Sequence, residues 1–302
     1  MPPRLVAGSA NLVLASKVAE RLETSPVDLE LERYEDGECR PRVESVGGED
    51  VYVLQPTGPP AAEHVVELLL LLDACRRAGA ARLTAVVPYF GYARQERRTR
   101  PGEPIGARLI ADTIALAGAQ RLVVVDPHPA GFEALCPIPT EMVTAESVLT
   151  GTLRAELDLG VVVAPDLGGL KRAERIAAHL RLPVAVVRKV RLGPSRVEAS
   201  ELLGEVAGLR AVLVDDMIAT GATIEAAARL IADRGGAPGL VVVATHGVFV
   251  GPALERLERV APSRIVVTDT LAPSGAGESR VPIERPSVAG LLAEVIDRLS
   301  ER

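Results

Sequence analysis

The sequence predicts an α/β protein built of two tandem domains, each a parallel sheet flanked by helices. Three observations carry that prediction. Short valine-rich runs alternate with longer amphipathic stretches along the chain, and continuous apolar strands separated by helices mean a parallel sheet covered on both faces. The length of 302 residues suffices for two ordinary domains. A motif also recurs: residues 118–128 read Gly-Ala-x-x-Leu-Val-Val-Val-x-x-His, and residues 236–246 read the same without a gap. Each copy follows an amphipathic helix. Any helix–Gly–strand unit has some of this look, but the shared histidine favours a duplication. The joint falls near residue 145, giving domains at 1–145 and 146–302. No Gly/Ser-rich linker marks it, so the halves are expected to pack closely.

The elements follow in order. Residues 4–7 are apolar and read as a strand, and Ser9 can cap a helix running to about residue 21. Residues 27–32 alternate polar and apolar, as a half-buried strand does. Strands follow at 51–54, 82–87 and 122–125, with helices at 63–77, closed by Gly79, and at 105–116. In the second half, strands are expected at 161–163, 184–187, 211–214, 240–243 and 265–267. Helices are expected there at 171–180, 223–234 and 288–299.

Composition excludes several classes. Hydrophobic residues make up 48% and charged residues 25%, globular values that rule out a wholly disordered chain. The apolar run at 68–72 is interrupted by Glu67 and Asp73, and no stretch approaches the ~20 apolar residues of a membrane helix. Met1-Pro2-Pro3-Arg4 leads into an apolar run that stops at Ser9 and Asn11, so no secretory leader is read. Cys39, Cys75 and Cys136 are isolated and lack metal-type spacing, which points to a reducing cytoplasm. A net charge of −6 and an aromatic content of 2% without tryptophan weigh against a nucleic-acid binder.

The strongest local signal is Val212-Leu213-Val214-Asp215-Asp216-Met217-Ile218-Ala219-Thr220-Gly221-Ala222-Thr223. An apolar strand ends in two acids, and a loop of small and hydroxyl residues leads into a helix. Successive amides in such a loop, at a helix N-terminus, make an anion nest, to which Thr220 and Thr223 add hydroxyl donors. The acids repel phosphate but suit sugar hydroxyls, which donate to carboxylates. One loop thus fits a phosphorylated sugar. It resembles the phosphoribosyl-binding motif of the type I phosphoribosyltransferase fold.

A second signal is Val86-Val87-Pro88-Tyr89-Phe90-Gly91-Tyr92-Ala93-Arg94-Gln95-Glu96-Arg97-Arg98. Between Arg94 and Arg108 there are five arginines against two glutamates. A solvated face is the usual meaning of a charge run, but this one follows a strand, where α/β ligands bind, in an acidic chain. It fits a polyphosphate. The segment resembles the hallmark of the ribose-phosphate pyrophosphokinase (phosphoribosyl pyrophosphate synthetase) family. The resemblance extends over nearly the whole chain, through Gly8-Ser9-Ala10-Asn11, Tyr34-Glu35-Asp36-Gly37-Glu38, Val125-Asp126-Pro127-His128, the run from Val163 to Arg172, that from Ala244 to Ala253, and Val267-Thr268-Asp269-Thr270.

The resemblance implies two phosphoribosyltransferase-type domains, an ATP side in the first and a ribose 5-phosphate side in the second. It implies that Tyr34 stacks on adenine, that Asp36 and Glu38 contact the nucleoside, with Glu38 supplied by a neighbouring subunit, and that Arg94 and Gln95 hold the polyphosphate or adenine. His128 would border ATP and, with Asp166, bind Mg2+. Asp166, Asp215, Asp216 and the loop Ala219, Thr220, Gly221, Ala222 and Thr223 would hold ribose 5-phosphate. Lys189 and Arg191, in a flexible loop, would be catalytic. It further implies a homo-oligomer and packing of helix 288–299 on the first half. Ala219 stands where many members have Asp, Pro127 and Pro129 flank His128 where Leu and Ala are usual, Gly106 replaces a Ser, and Thr99 and Gly102 replace an Asp and an Arg. Ala219 alone would suit a phosphoribosyltransferase, and together with the prolines a catalytically silent regulatory subunit.

Overall fold

The computed structural model describes residues 3–154, 158–191, 198–273 and 279–301, with backbone alone at 189–191 and 198–200. In chain order the elements are β1 (Arg4–Ala7), α1 (Leu12–Arg21), β2 (Leu29–Arg33), β3 (Cys39–Val43), β4 (Asp50–Leu54), α2 (Ala61–Arg77), β5 (Arg82–Val87), α3 (Gly106–Ala117), β6 (Arg121–Val125), β7 (Thr140–Val143), α4 (Glu146–Leu153) and β8 (Leu159–Ala164). There follow α5 (Leu170–Leu180), β9 (Val184–Arg191), β10 (Glu198–Leu203), β11 (Arg210–Ile218), α6 (Ala222–Asp233), β12 (Ala237–Gly247), α7 (Ala253–Val260), β13 (Arg264–Thr268), β14 (Ile283–Glu284) and α8 (Ala289–Ser300).

The chain forms two units. The first comprises Met1–Thr144, Thr270–Ala272 and Ser287–Arg302, the second Ala145–Asp269 and Pro273–Pro286. The first sheet runs β1-β4-β5-β6-β7 and is parallel throughout. The second runs β10-β9-β8-β11-β12-β13-β14, with only β9–β10 antiparallel. Matched from β1 and β8 onwards, the two parallel cores have the same connectivity, as a duplicated fold requires.

The repeated motif is not in register with that duplication. Its first copy lies on β6, fourth in its sheet, and its second on β12, which corresponds to the third strand, β5. The two histidines also differ: His128 is exposed in a turn beyond β6, whereas His246 lies within β12 and is 1% exposed. The likeness of the copies reflects what any helix–Gly–strand passage requires.

Packing explains the strands. In the second unit, Val161, Val163, Leu213, Val242 and Ile265 point to one face, with Ile224, Ile231 and Leu257 of α6 and α7. Val162, Val212, Val214, Val241, Val243 and Val266 point to the other, with Leu149, Leu153 and Ile176 of α4 and α5. Alternate side chains point to opposite faces, so burial on both faces demands unbroken valine runs. In the first unit α2 and α3 cover one face.

The last helix groups with the first unit, where the simple division at residue 145 places it in the second. It packs on α1. The facing stripes are Leu14 and Val18 on α1, and Leu292, Ile296 and Leu299 on α8, all buried. Asn11, rather than Ser9, caps α1, accepting from the Leu14 N–H at 3.1 Å. Replacing Leu292 by Ala is expected to destabilise the first unit by about 2–5 kcal/mol, the cost of a buried Leu-to-Ala cavity, read as a lower midpoint in urea denaturation.

Candidate functional site

The second sheet has a topological switch. From β8 the chain steps to β9 on one side, and later returns to β11 on the other. In open α/β sheets, ligands bind beyond the strand carboxyl ends at such a point. Asp166 follows β8 there, and Asp215 and Asp216 lie near the end of β11. Asp166 is half-buried, and its Oδ1 accepts from the Gly169 N–H at 3.0 Å. Asp215 Oδ1 accepts from the Asp216 N–H at 2.9 Å, and Asp216 Oδ1 from the Met217 N–H at 2.9 Å. Arg172, on α5, brings Nη1 to 3.9 Å from Asp216 Oδ1, and its buried Nε has no hydrogen-bond partner. The sequence motif includes Arg172 but assigns it no role; its place at the end of the run that leads from β8 into α5 is the available signal.

Burial, then the neighbouring Asp216 carboxylate and, more weakly, Asp166, hold the Asp215 carboxyl well above its ordinary range. Two acids side by side at a buried strand end are costly unless something offsets them.

The loop after β11 turns its carbonyls back into the protein. Ile218 O accepts from the Val248 and Phe249 N–H groups at 3.0 Å each, Ala219 O from Val250 at 3.0 Å, and Gly221 O from Glu225 at 2.9 Å. Gly221 has φ +75°, and a Cβ there would lie 3.1 Å from Ala253 O, so only glycine fits both the backbone and the space. Thr220 and Ala222 are exposed, Ala219 and Thr223 half-buried. Helix α6 begins at Ala222, one residue earlier than the pattern predicts, so its first amides follow directly on the loop.

In the first unit, β2 and β3 form a separate antiparallel ribbon closed by the turn at residues 34–38. Tyr34 N–H donates to Glu38 O at 2.9 Å, and Glu38 N–H to Asp36 Oδ1 at 3.1 Å. Tyr34, Asp36 and Glu38 are exposed, and the Arg40 guanidinium lies 5.4 Å from the Tyr34 ring centroid. The segment after β5 is folded tightly: Gly91 N–H donates to Thr57 Oγ1 at 2.7 Å, and a Cβ at Gly91 would meet Thr57 O at 2.3 Å. That places Arg94 and Gln95, both exposed, beyond β5, while exposed His128 follows the adjacent β6. The Gln95 side chain lies against Gly106, with its Oε1 2.4 Å from where a Cβ would stand.

Lys189 and Arg191 belong to β9, with Ser200 and Glu198 as their register partners on β10. Their side chains, and residues 192–197 of the expected loop, lie outside the described residues. Among the described residues no group of three or more His, Cys, Asp and Glu forms a metal cage. Magnesium uses few protein ligands, keeping water and substrate phosphates as its other partners. The half-exposed Asp166 carboxylate fits such a site, and His128 is an unusual ligand for it.

The sheet switch, the paired acids and the amide-bearing turn define a phosphoribosyltransferase-type sugar-phosphate protein. The family model for the N-terminal domain of ribose phosphate pyrophosphokinase matches residues 3–118, and that for the phosphoribosyl transferase domain matches residues 150–271. Ribose-phosphate pyrophosphokinase of Staphylococcus saprophyticus is 39% identical over 299 residues, covering 97% of this chain and 92% of its own. That of Aquifex aeolicus is 38% identical over 301 residues, covering 99% and 96%. The crystal structure of phosphoribosylpyrophosphate synthetase from Mycobacterium smegmatis superposes with a TM-score of 0.92 at 35% identity, covering 100% of this chain and 99% of that one. The chain belongs to the ribose-phosphate pyrophosphokinase family.

The raised Asp215 carboxyl has a pH consequence. A carboxyl raised in the folded state binds its proton more tightly there than in the unfolded chain. Its effect is absent below the unfolded range, and stability falls as pH rises from there through the folded value. Asp215→Asn is therefore expected to raise the thermal midpoint at neutral pH and flatten its decline with rising pH, while weakening sugar-phosphate binding. Calorimetry across a pH series checks both.

Proposed function

We propose that this protein is a ribose-phosphate diphosphokinase. It transfers the β,γ-diphosphoryl group of ATP to the anomeric hydroxyl of ribose 5-phosphate, giving phosphoribosyl pyrophosphate and AMP. The observation that carries the reading is the run from Asp215 to Thr223 at the sheet switch, with acids for a sugar diol and amides for its 5-phosphate. Support comes from relatives named for that activity, aligned over 97% of the chain.

In this reading Asp215 and Asp216 accept from the ribose hydroxyls, which eases the repulsion between two adjacent acids. The backbone from Ala219 to Thr223 anchors the phosphate and fixes the anomeric oxygen in line with the β-phosphorus. Tyr34 stacks on the adenine, Asp36 and Glu38 read the nucleoside, and Arg94 and Gln95 hold the polyphosphate. Asp166 and His128 would hold magnesium, which when bound screens phosphate charge and orients the polyphosphate. The ammonium of Lys189 and the guanidinium of Arg191 balance charge that grows on phosphoryl oxygens, where positioning and cations supply most of the catalysis. The anomeric oxygen bonds to the β-phosphorus as the bond from that phosphorus to the AMP oxygen breaks, and the hydroxyl proton passes to water.

A homo-oligomer is part of the proposal. Val66 on α2 and Leu109 and Leu116 on α3 are 52%, 57% and 82% exposed, apolar surface that a neighbouring subunit would cover. No helix among the described residues is long and apolar enough to cross a membrane, and all three cysteines are free, as suits a protein working in the cytoplasm.

The test is an assay of AMP release with ATP, magnesium and ribose 5-phosphate each omitted in turn. AMP and phosphoribosyl pyrophosphate are expected only with all three present. A folded sample that binds ribose 5-phosphate yet releases nothing refutes the assignment. Lys189→Ala is expected to lower kcat by roughly 10³-fold, on the scale of an arginine finger, with ribose 5-phosphate affinity unchanged by calorimetry.

A further inference from the structure

Of the four consecutive carbonyls from Ile218 to Gly221, three are held by backbone amides, and one is held by a side chain. Thr220 O accepts from Arg256 Nη1, on α7, at 2.9 Å. A trans peptide sets its C=O and N–H in opposite directions. Binding the Thr220 carbonyl from behind therefore sends the Gly221 N–H to the front, where the phosphate of a sugar phosphate would lie. Without that hold, the 220–221 peptide is the one most able to turn over. Its second residue is a glycine, which tolerates the alternative, and Thr220 itself is exposed. A turned peptide would present a carbonyl oxygen to the phosphate in place of a donor.

We propose that Arg256 is a positioning residue for the 5-phosphate of the sugar, acting through the Thr220–Gly221 peptide. The inference rests on the sugar-phosphate reading of this loop. Two further observations support it. Arg256 is not required to neutralise its acidic neighbour: Glu225 lies 3.6 Å from Arg256 Nε, but 3.0 Å from Arg259 Nε and 2.6 Å from Arg229 Nη2. The contact that Arg256 alone makes is the one to the loop. Its anchor is also fixed, because α7 begins at Ala253, whose carbonyl lies against Gly221. The guanidinium also places a positive charge behind the nest, which favours an anion in front of it.

The experiment compares wild type, Arg256→Ala, Arg256→Lys and Arg229→Ala by titration calorimetry with ribose 5-phosphate and by steady-state kinetics. Arg256→Ala is expected to weaken ribose 5-phosphate binding by about tenfold, the scale of one hydrogen bond to a charged group. The KM for ribose 5-phosphate should rise accordingly, with the KM for ATP and kcat within about twofold of wild type. Arg256→Lys, which keeps a donor and a charge, should recover most of the affinity, and Arg229→Ala should lose none. Unchanged ribose 5-phosphate affinity in Arg256→Ala overturns the inference. So does an equal loss for both substrates with a lowered thermal midpoint, the mark of a merely structural role. Wild type that fails to bind ribose 5-phosphate refutes the reading of the loop itself, a failure distinct from either.

Discussion

The juxtaposition of Asp215 and Asp216 at the buried carboxyl end of β11 is the constraint around which the second unit is arranged. Both acids lie within β11, beyond its last partner on β8 at Leu213 and still alongside β12, where Asp215 is opposite Ala244. The fold keeps them together at the cost of a raised carboxyl at Asp215. Local amides and Arg172 offset part of that cost. In the proposed reading, a ligand rich in hydroxyl donors offsets the remainder.

The neighbouring loop solves the opposite problem. An anion site needs donors, yet each peptide carries an acceptor beside its donor. The tight turn after β12 provides the answer. Residues 248–250 lie alongside the end of β11 and take up its carbonyls through their own amides. Gly247 permits this approach, since a Cβ there would meet the Phe249 ring at 2.5 Å. Residues after β12 thus set which way the loop's carbonyls face.

These dependencies explain what was legible in the sequence. Most strands of both sheets read directly, because burial on two faces requires unbroken apolar runs, but the edge strands β7 and β14 and helix α4 did not. Strand β3 did not: Cys39-Arg40-Pro41-Arg42-Val43 carries two arginines that pair with Glu32 and Glu30 across the ribbon, so charge pairing rather than apolar pattern defines it. Strand β10, Glu-Ala-Ser-Glu-Leu-Leu, is similarly polar, and α7 is a bare two turns between a Gly-Pro and Ala261. In the site, the sugar loop and its acids were evident, since their chemistry lies in side chains at short spacing. Arg256 was not, because its importance comes from a carbonyl 36 residues away. The placement of α8 in the first unit came from the family resemblance and not from any local pattern.

The two halves differ at the positions that hold the proposed sugar-phosphate site in the second. By position in the sheet, the segment after β4 corresponds to the sugar loop after β11. It reads Gln55-Pro56-Thr57-Gly58-Pro59-Pro60, with no acid for a diol and three prolines that have no N–H to offer an anion. The turn after β1 corresponds to that after β8, and its amides are already occupied. Ser9 N–H donates to Glu67 Oε1 at 2.6 Å and Ala10 N–H to Gln55 Oε1 at 3.1 Å. Glu67 is fully buried and also receives Arg33, the residue before Tyr34, at 2.7 Å. A carboxylate of the protein thus occupies this turn, and it links the β2–β3 ribbon to α2. The exposed polar groups of the first unit lie instead in the turns after β2, β5 and β6. Strand β6 ends at Val125, before Pro127 and Pro129, and His128 lies outside it and exposed, where His246 is enclosed within β12.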